Sequence, residues 1–165
     1  MTFPSHLLDK AAELHAVCRA AGLKIAVAES CTGGLLAGLL TELAGSSDSF
    51  DRGFITYSNE AKHDLLGVPR DMLADYGAVS EQVARAMAEG CLNVAGADLS
   101  ASVTGVAGPG GGSAMKPVGL VHFGAARRGR SPIHEVHRFG ELSRAEIRLK
   151  AVEVAMDLLS RLARG

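Results

Sequence analysis

Apolar residues recur at helical spacing from about Ser5 to Ala20, where Leu7, Leu8, Ala11, Leu14, Val17 and Cys18 form one stripe. Gly22 is placed to close that helix. Lys24 to Ala28 (KIAVA) then reads as a short buried strand. After the turn ESCTGG (29–34), LLAGLLTELAG (35–45) is apolar on nearly every side, which predicts a buried helix ending near Gly45. The polar SSDSFD separates it from a second strand, RGFITY (52–57). Ser58 or Asn59 stands where a cap is needed for a short helix through Leu66, and Pro69 opens another. Ser80 caps a longer amphipathic helix with Val83, Ala86, Met87, Cys91 and Val94 on its inner stripe. LSASVT (99–104) is a third strand and runs into the glycine-rich GVAGPGGGSAMKP. VGLVHFGAAR (118–127) and IHEVHRF (133–139) are the fourth and fifth strands, paired as a hairpin around RRGRSP. Ser143 and Glu146 form a capping box for the last helix, with Ile147, Ala151, Val154, Ala155, Leu158 and Leu162 facing inward.

Alternation of strands and helices predicts a three-layer α/β/α sandwich around a mixed, mostly parallel sheet of about five strands, with one antiparallel strand near the C-terminus. No linker, repeat or charge block interrupts this order, so residues 1–165 are expected to form one domain. Aromatics make up only 4% of the chain while small aliphatics and glycine abound, which suits helices packed closely on a sheet. A formal net charge of −1 gives no general reason to expect nucleic acid or a membrane surface as partner. No apolar run approaches the roughly 18 residues of a spanning helix, and no signal-peptide core stands at the N-terminus. Three cysteines without metal spacing are expected as free thiols in a reducing cytoplasm.

Polar residues gather where the strands end. The first strand delivers Glu29, Ser30 and Thr32; the second delivers Tyr57, Ser58 and Asn59, with Lys62 in the following helical turn; the third delivers Thr104 and the glycine loop. In open α/β sheets, ligands bind outside the carboxyl ends of strands, so three clusters on one edge point to a site there. Each has a plain structural reading beside the functional one. Ser30 and Thr32 are possible helix caps, Gly33 and Gly34 suit close packing, and Lys62 suits a solvated surface. The glycines from Gly105 to Gly112 are harder to explain structurally, because they sacrifice backbone entropy and leave amides free for an anion or a closely approached ligand. The loop is not a phosphate-binding G-x-x-x-x-G-K-[ST], since Lys116 comes too late, and no G-x-G-x-x-G follows the first strand. His134 and His137 are three apart on a strand and point to opposite faces, so no metal site is expected. Cys18 and Cys91 lie on apolar stripes and read as core thiols.

A serine before a helix needs a base to attack at neutral pH, and a lysine serves if burial lowers its pKa. Tyr57 and Lys62 reach one pocket from a strand end and the adjoining turn, making Ser30–Lys62 a candidate pair with Tyr57 or Thr104 to relay or orient the proton. Amides around Thr32, Gly33 and Gly34 are candidate oxyanion donors. This constellation suits acyl transfer or amide hydrolysis. Cys31 as nucleophile is a weaker alternative, because the next side chain on the turn should point elsewhere.

AESCTGGLLAGLL, FITYSNEAKHDLLGV, GAVSEQVA, TGVAGPGGG followed by KPVG, and FGELSRAEIR resemble, in order, the C-terminal domain family of the competence/damage-inducible protein CinA. The resemblance runs from about residue 24 to residue 150. It implies an α/β/α sandwich and a nicotinamide-nucleotide amidase, which hydrolyses the carboxamide of nicotinamide mononucleotide to nicotinate mononucleotide and ammonia without a cofactor. It implies Ser30 as nucleophile, with Tyr57 and Lys62 beside it as catalytic residues. Thr32, Gly33, Gly34, Asn59, Thr104, Gly105, Gly108, Gly110 and Gly111 are the expected substrate-binding residues. Arg144 is the expected phosphate-binding arginine, with Arg148, Lys116 or an arginine from a neighbouring subunit as alternatives. Longer members carry an N-terminal nucleotide-pyrophosphatase domain to which the resemblance does not extend. A cytoplasmic homo-oligomer is expected. The competing reading is a non-catalytic nucleotide-binding module that regulates a partner.

Overall fold

The structure, a computed structural model, describes residues 3–165. The elements are α1 (Ser5–Ala21), β1 (Ile25–Glu29), α2 (Leu35–Thr41), a 3₁₀ turn (Ser46–Asp48), β2 (Phe50–Ile55), α3 (Asn59–Leu66), α4 (Arg70–Tyr76), α5 (Glu81–Ala95), β3 (Leu99–Gly105), β4 (Leu120–Arg127), β5 (Ile133–Arg138) and α6 (Arg144–Arg164). The five strands form one sheet in the order β2-β1-β3-β4-β5. Strands β2, β1 and β3 are parallel, β4 runs against β3, and β5 runs against β4. The expected sandwich, its five strands and its single antiparallel strand are therefore observed.

Alternation along the central strands divides the core. Ile25 and Val27 of β1, with Leu99, Ala101 and Val103 of β3, pack under α1, α2 and α6. Ala26 and Ala28 face the other layer, made by α3, α4 and α5. On that second face β3 is polar, and its hydroxyls are satisfied by carbonyls at and before α5. Ser100 donates to Ala88 at 2.6 Å, Ser102 to Ala84 at 2.6 Å and Thr104 to Ala78 at 2.9 Å. Such short reach requires α5 to lie almost on the sheet, which Gly124 permits: a Cβ there would sit 2.2 Å from the Ala84 carbonyl oxygen.

Capping follows the sequence closely. The Ser58 and Ser80 hydroxyls accept from Ala61 and Val83, and Ser143 and Glu146 form the capping box of α6. Gly22 ends α1 in the left-handed region. Three expectations need correction. Helix α2 stops at Thr41 rather than near Gly45; the Thr41 hydroxyl bonds back to the Ala37 carbonyl, and the chain then turns toward β2. The second strand spans Phe50–Ile55 instead of 52–57, because its register with β1 ends where Glu29 meets Ile55. Val94 is exposed, and Leu92 takes a buried place on α5 instead. No helix among the described residues is long and apolar enough to cross a membrane.

Candidate active site

The turn after β1 is organised by Glu29. Its side chain points toward α2, where its carboxylate accepts from the amides of Gly34 at 3.0 Å, Leu36 at 3.1 Å and Ala37 at 2.8 Å. A buried carboxylate thus satisfies the start of α2, a favourable place for negative charge. Ser30 and Thr32 are consequently not needed as caps. Gly33 and Gly34 have φ of 56° and 100°, and Gly33 donates to the Ser30 carbonyl at 3.1 Å, so the chain reverses tightly behind the serine.

Being one residue beyond Glu29, Ser30 projects to the opposite layer, where it meets Lys62 of α3. Lys62 Nζ lies 3.0 Å from Ser30 Oγ and donates to the carbonyls of Thr56 at 2.8 Å and Tyr57 at 3.4 Å. Lys62 is only 1% exposed. Burial lowers its pKa from 10.5 to about 8, with neighbouring Cys31 acting in the opposite direction. Burial pushes the Cys31 thiol up to about 11, which leaves it protonated near neutrality and a poor nucleophile. Cys18 and Cys91 are buried in the core as expected, their thiols pushed up by burial to about 11 and about 12.

A cavity of about 310 Å³ opens over this pair. Ser30, Cys31, Tyr57, Lys62 and Arg144 line it with Thr104, Gly105, Gly108, Gly110 and Gly111. Four further lining residues, Ala78, Val79, Val106 and Ala107, went unrecognised in the sequence as site residues. They carry no polar signal, although the GAVS turn before α5 marks where Ala78 and Val79 fall. The structure leaves other expected residues outside the cavity. Thr32 is fully buried beneath the turn, and its Oγ1 has no partner among the described residues. The Gly34 amide is occupied by Glu29 and the Gly33 amide by Ser30, so neither is a free oxyanion donor. Asn59 faces a separate surface depression shared with Glu60 and Arg70.

Neither expected relay hydroxyl reaches the Ser–Lys pair. Tyr57 touches Lys62 only through its carbonyl; its hydroxyl accepts from Arg144 Nη2 at 3.3 Å. The Thr104 hydroxyl is taken by Ala78. Arg144 also donates to the Gly108 carbonyl at 2.7 Å and so spans the cavity rim from the glycine loop to Tyr57. Arg148, one helical turn further, binds the carbonyls of Cys31 at 3.1 Å and Thr32 at 2.9 Å. Lys116 donates to the Tyr76 carbonyl at 2.6 Å. His134 and His137 do face opposite sides of β5. The first pairs with His122 at 2.9 Å, and the second packs on Phe123 and Phe139. Among the described residues no cluster of three or more His, Cys, Asp or Glu is placed to hold a metal.

A family model described as the CinA C-terminal domain matches residues 8–163. A nicotinamide-nucleotide amidohydrolase PncC from Enterobacter agglomerans is 50% identical over 151 residues, covering 92% of each chain. A putative competence-damage inducible protein from Caldicellulosiruptor bescii is 51% identical over 83% of this chain, which spans 33% of that longer relative. Among solved structures, the competence/damage inducible protein CihA from Agrobacterium tumefaciens superposes with a TM-score of 0.96 at 48% identity, over 98% of both chains. A CinA superfamily protein from Escherichia coli gives a TM-score of 0.90 at 32% identity, over 98% of this chain and 94% of that one.

Proposed function

Since the chain belongs to the CinA C-terminal domain family, we propose that it is a nicotinamide-nucleotide amidase using Ser30 as nucleophile and Lys62 as base. The observation that carries the mechanism is the 3.0 Å contact between Ser30 Oγ and a buried amine with a depressed pKa. The substrate assignment draws on the relative that shares half its residues and bears that activity in its name.

Neutral Lys62 takes the Ser30 proton as Oγ attacks the carboxamide carbon, giving a tetrahedral oxyanion. Collapse breaks the C–N bond, and the Lys62 ammonium returns the proton to the leaving nitrogen, which departs as ammonia. Water then attacks the resulting ester while Lys62 again takes a proton. That proton passes to Ser30 Oγ as the carboxylate product leaves. The buried setting suits this role because a lysine held near pH 8 is both available as a base and strong enough as the conjugate acid.

The phosphate lies at the far end of such a substrate. Arg144 stands at the cavity rim, and its two acceptors, the Gly108 carbonyl and the Tyr57 hydroxyl, are neutral. A phosphate is the stronger acceptor for its planar fork. In this reading Tyr57 belongs to the rim with Arg144 more than to the proton path.

Ammonia release from nicotinamide mononucleotide by the purified protein tests the function, with Ser30→Ala as control. Absence of release refutes the reading and returns the chain to the class of nucleotide-binding modules; release undiminished in the serine variant keeps the amidase but refutes Ser30 as its nucleophile.

A further inference from the structure

Accepting the Ser30–Lys62 pair of the proposed amidase, the hydrogen bonds of Lys62 determine which way its amine faces once the proton is gone. An ammonium carries three hydrogens and no lone pair. Lys62 Nζ meets three acceptors: Ser30 Oγ at 3.0 Å, the Thr56 carbonyl at 2.8 Å and the Tyr57 carbonyl at 3.4 Å. In the charged form every hydrogen has a partner, and Lys62 donates to the very serine it should deprotonate. The neutral amine keeps two hydrogens and gains one lone pair. Carbonyl oxygens can only accept, whereas a hydroxyl can also donate. The two hydrogens therefore stay on Thr56 and Tyr57, and the lone pair turns to Ser30. Loss of the proton thus reverses the bond between Nζ and Oγ with both atoms in place.

The nearer of the two carbonyls is itself anchored to the segment that carries the nucleophile. Thr56 directly follows β2 and is fully buried. Its amide donates to the Glu29 carbonyl at 2.7 Å, and its hydroxyl donates to the same oxygen at 3.4 Å. Glu29 is the residue before Ser30, and the Ser30 amide donates to Val103 of β3 at 3.0 Å. A ring of contacts therefore runs from Ser30 through Glu29 to Thr56, on to Lys62 Nζ, and back to Ser30 Oγ. Nucleophile and base are held in one frame at the sheet edge, not by α3 alone. Thr56 is not part of the cavity wall, so its part is played through Lys62.

We propose that Thr56 is a positioning residue of this site: its carbonyl, with that of Tyr57, holds the two hydrogens of neutral Lys62 and so aims the lone pair at Ser30 Oγ.

The test weakens the acceptor without changing a side chain. Replacing Tyr57 by its α-hydroxy acid turns the Thr56–Tyr57 peptide into an ester, whose carbonyl is a poorer acceptor. The hydrogen lost with it belongs to the Tyr57 amide, which has no acceptor among the described residues. Ammonia release from nicotinamide mononucleotide is followed against pH for the native protein, the ester variant and Ser30→Ala. Thermal melts and an NMR titration of Lys62 labelled at Cε run alongside. A hydrogen bond to the charged form favours that form, so weakening it should lower the Lys62 pKa by about 0.5–1 pH unit. Activity should then rise at lower pH, yet the plateau kcat should fall about tenfold, because more base is present but less well aimed. KM should stay native. A site merely loosened would admit water and move the pKa the other way, toward 10.5. A native plateau kcat, or a Lys62 pKa that is unchanged or raised, overturns the proposal. If the ester variant does not fold, Ser30→Ala decides. With both carbonyls intact its Lys62 should titrate within about 0.5 pH unit of the native protein; a fall of more than about 1 unit makes the serine the main hold on the amine and overturns the proposal. Either failure leaves the amidase standing where the native protein releases ammonia and Ser30→Ala does not. No release by the native protein, or undiminished release by Ser30→Ala, removes the pair on which the proposal rests.

Discussion

Lys62→Met separates the chemistry of the site from its stability. The methionine keeps most of the apolar stem while removing the amine. With its pKa lowered from 10.5 to about 8, about one in ten Lys62 amines is neutral at pH 7, against about one in three thousand for a free lysine. Burial therefore raises the supply of base by about 300-fold at that pH. The variant should lose on the order of 10²-fold or more in kcat. In the native protein, kcat/KM should climb nearly tenfold per pH unit below about 8 and level off above. Stability should respond as well, but at higher pH. The folded state holds this proton less tightly than the unfolded chain, so the full penalty of burying the ammonium is present below about pH 8. It is relieved as pH rises toward 10.5, where the unfolded chain also loses the proton. The penalty is about 3 kcal/mol by linkage, from which about 1–2 kcal/mol of lost hydrogen bonding must be subtracted. Lys62→Met should thus be more stable than the native protein at pH 7 by about 1–2 kcal/mol, and the difference should fall and change sign between about pH 8 and 10.5. Urea melts of both proteins across that range, with an ammonia-coupled assay, give both quantities. A native-like kcat in the variant, or a stability difference independent of pH, refutes the reasoning.

Ser30→Ala should abolish turnover and still bind substrate by calorimetry, whereas Cys31→Ala should keep most activity; the reverse pattern makes the thiol the nucleophile. Arg144→Ala should depress kcat/KM for nicotinamide mononucleotide far more than for nicotinamide riboside, because remote binding energy positions the reacting group. Equal losses on the two substrates would show that Arg144 does not hold the phosphate. Gly90→Ala should destabilise α5 against α3, since the new Cβ would lie 2.0 Å from the Leu66 carbonyl oxygen. A drop of about 1–3 kcal/mol or more is expected from chemical denaturation, and an unchanged midpoint rules out so close an approach.

The sequence by itself determined the layers, because burial periodicity is a local property: period two in the strands and 3.6 in the helices, with Ser58, Ser80 and Ser143 marking helix starts. It also brought Ser30, Lys62 and the glycine loop to one sheet edge, since strand ends in a parallel sheet share an edge whatever the loops do. Tertiary structure decided which polar groups were free. Nothing local distinguishes Glu29 as the acceptor of three α2 amides, or Arg148 as the partner of carbonyls more than a hundred residues earlier. Those pairings set the Gly33 and Gly34 amides aside. The same holds for Tyr57, whose hydroxyl goes to Arg144 because β2 ends two residues before it and the chain has already left the sheet. Hydrogen bonds to backbone are directional and are allotted only when distant segments meet. A sequence therefore names the candidates for a site, and packing determines which of their donors and acceptors remain unspent.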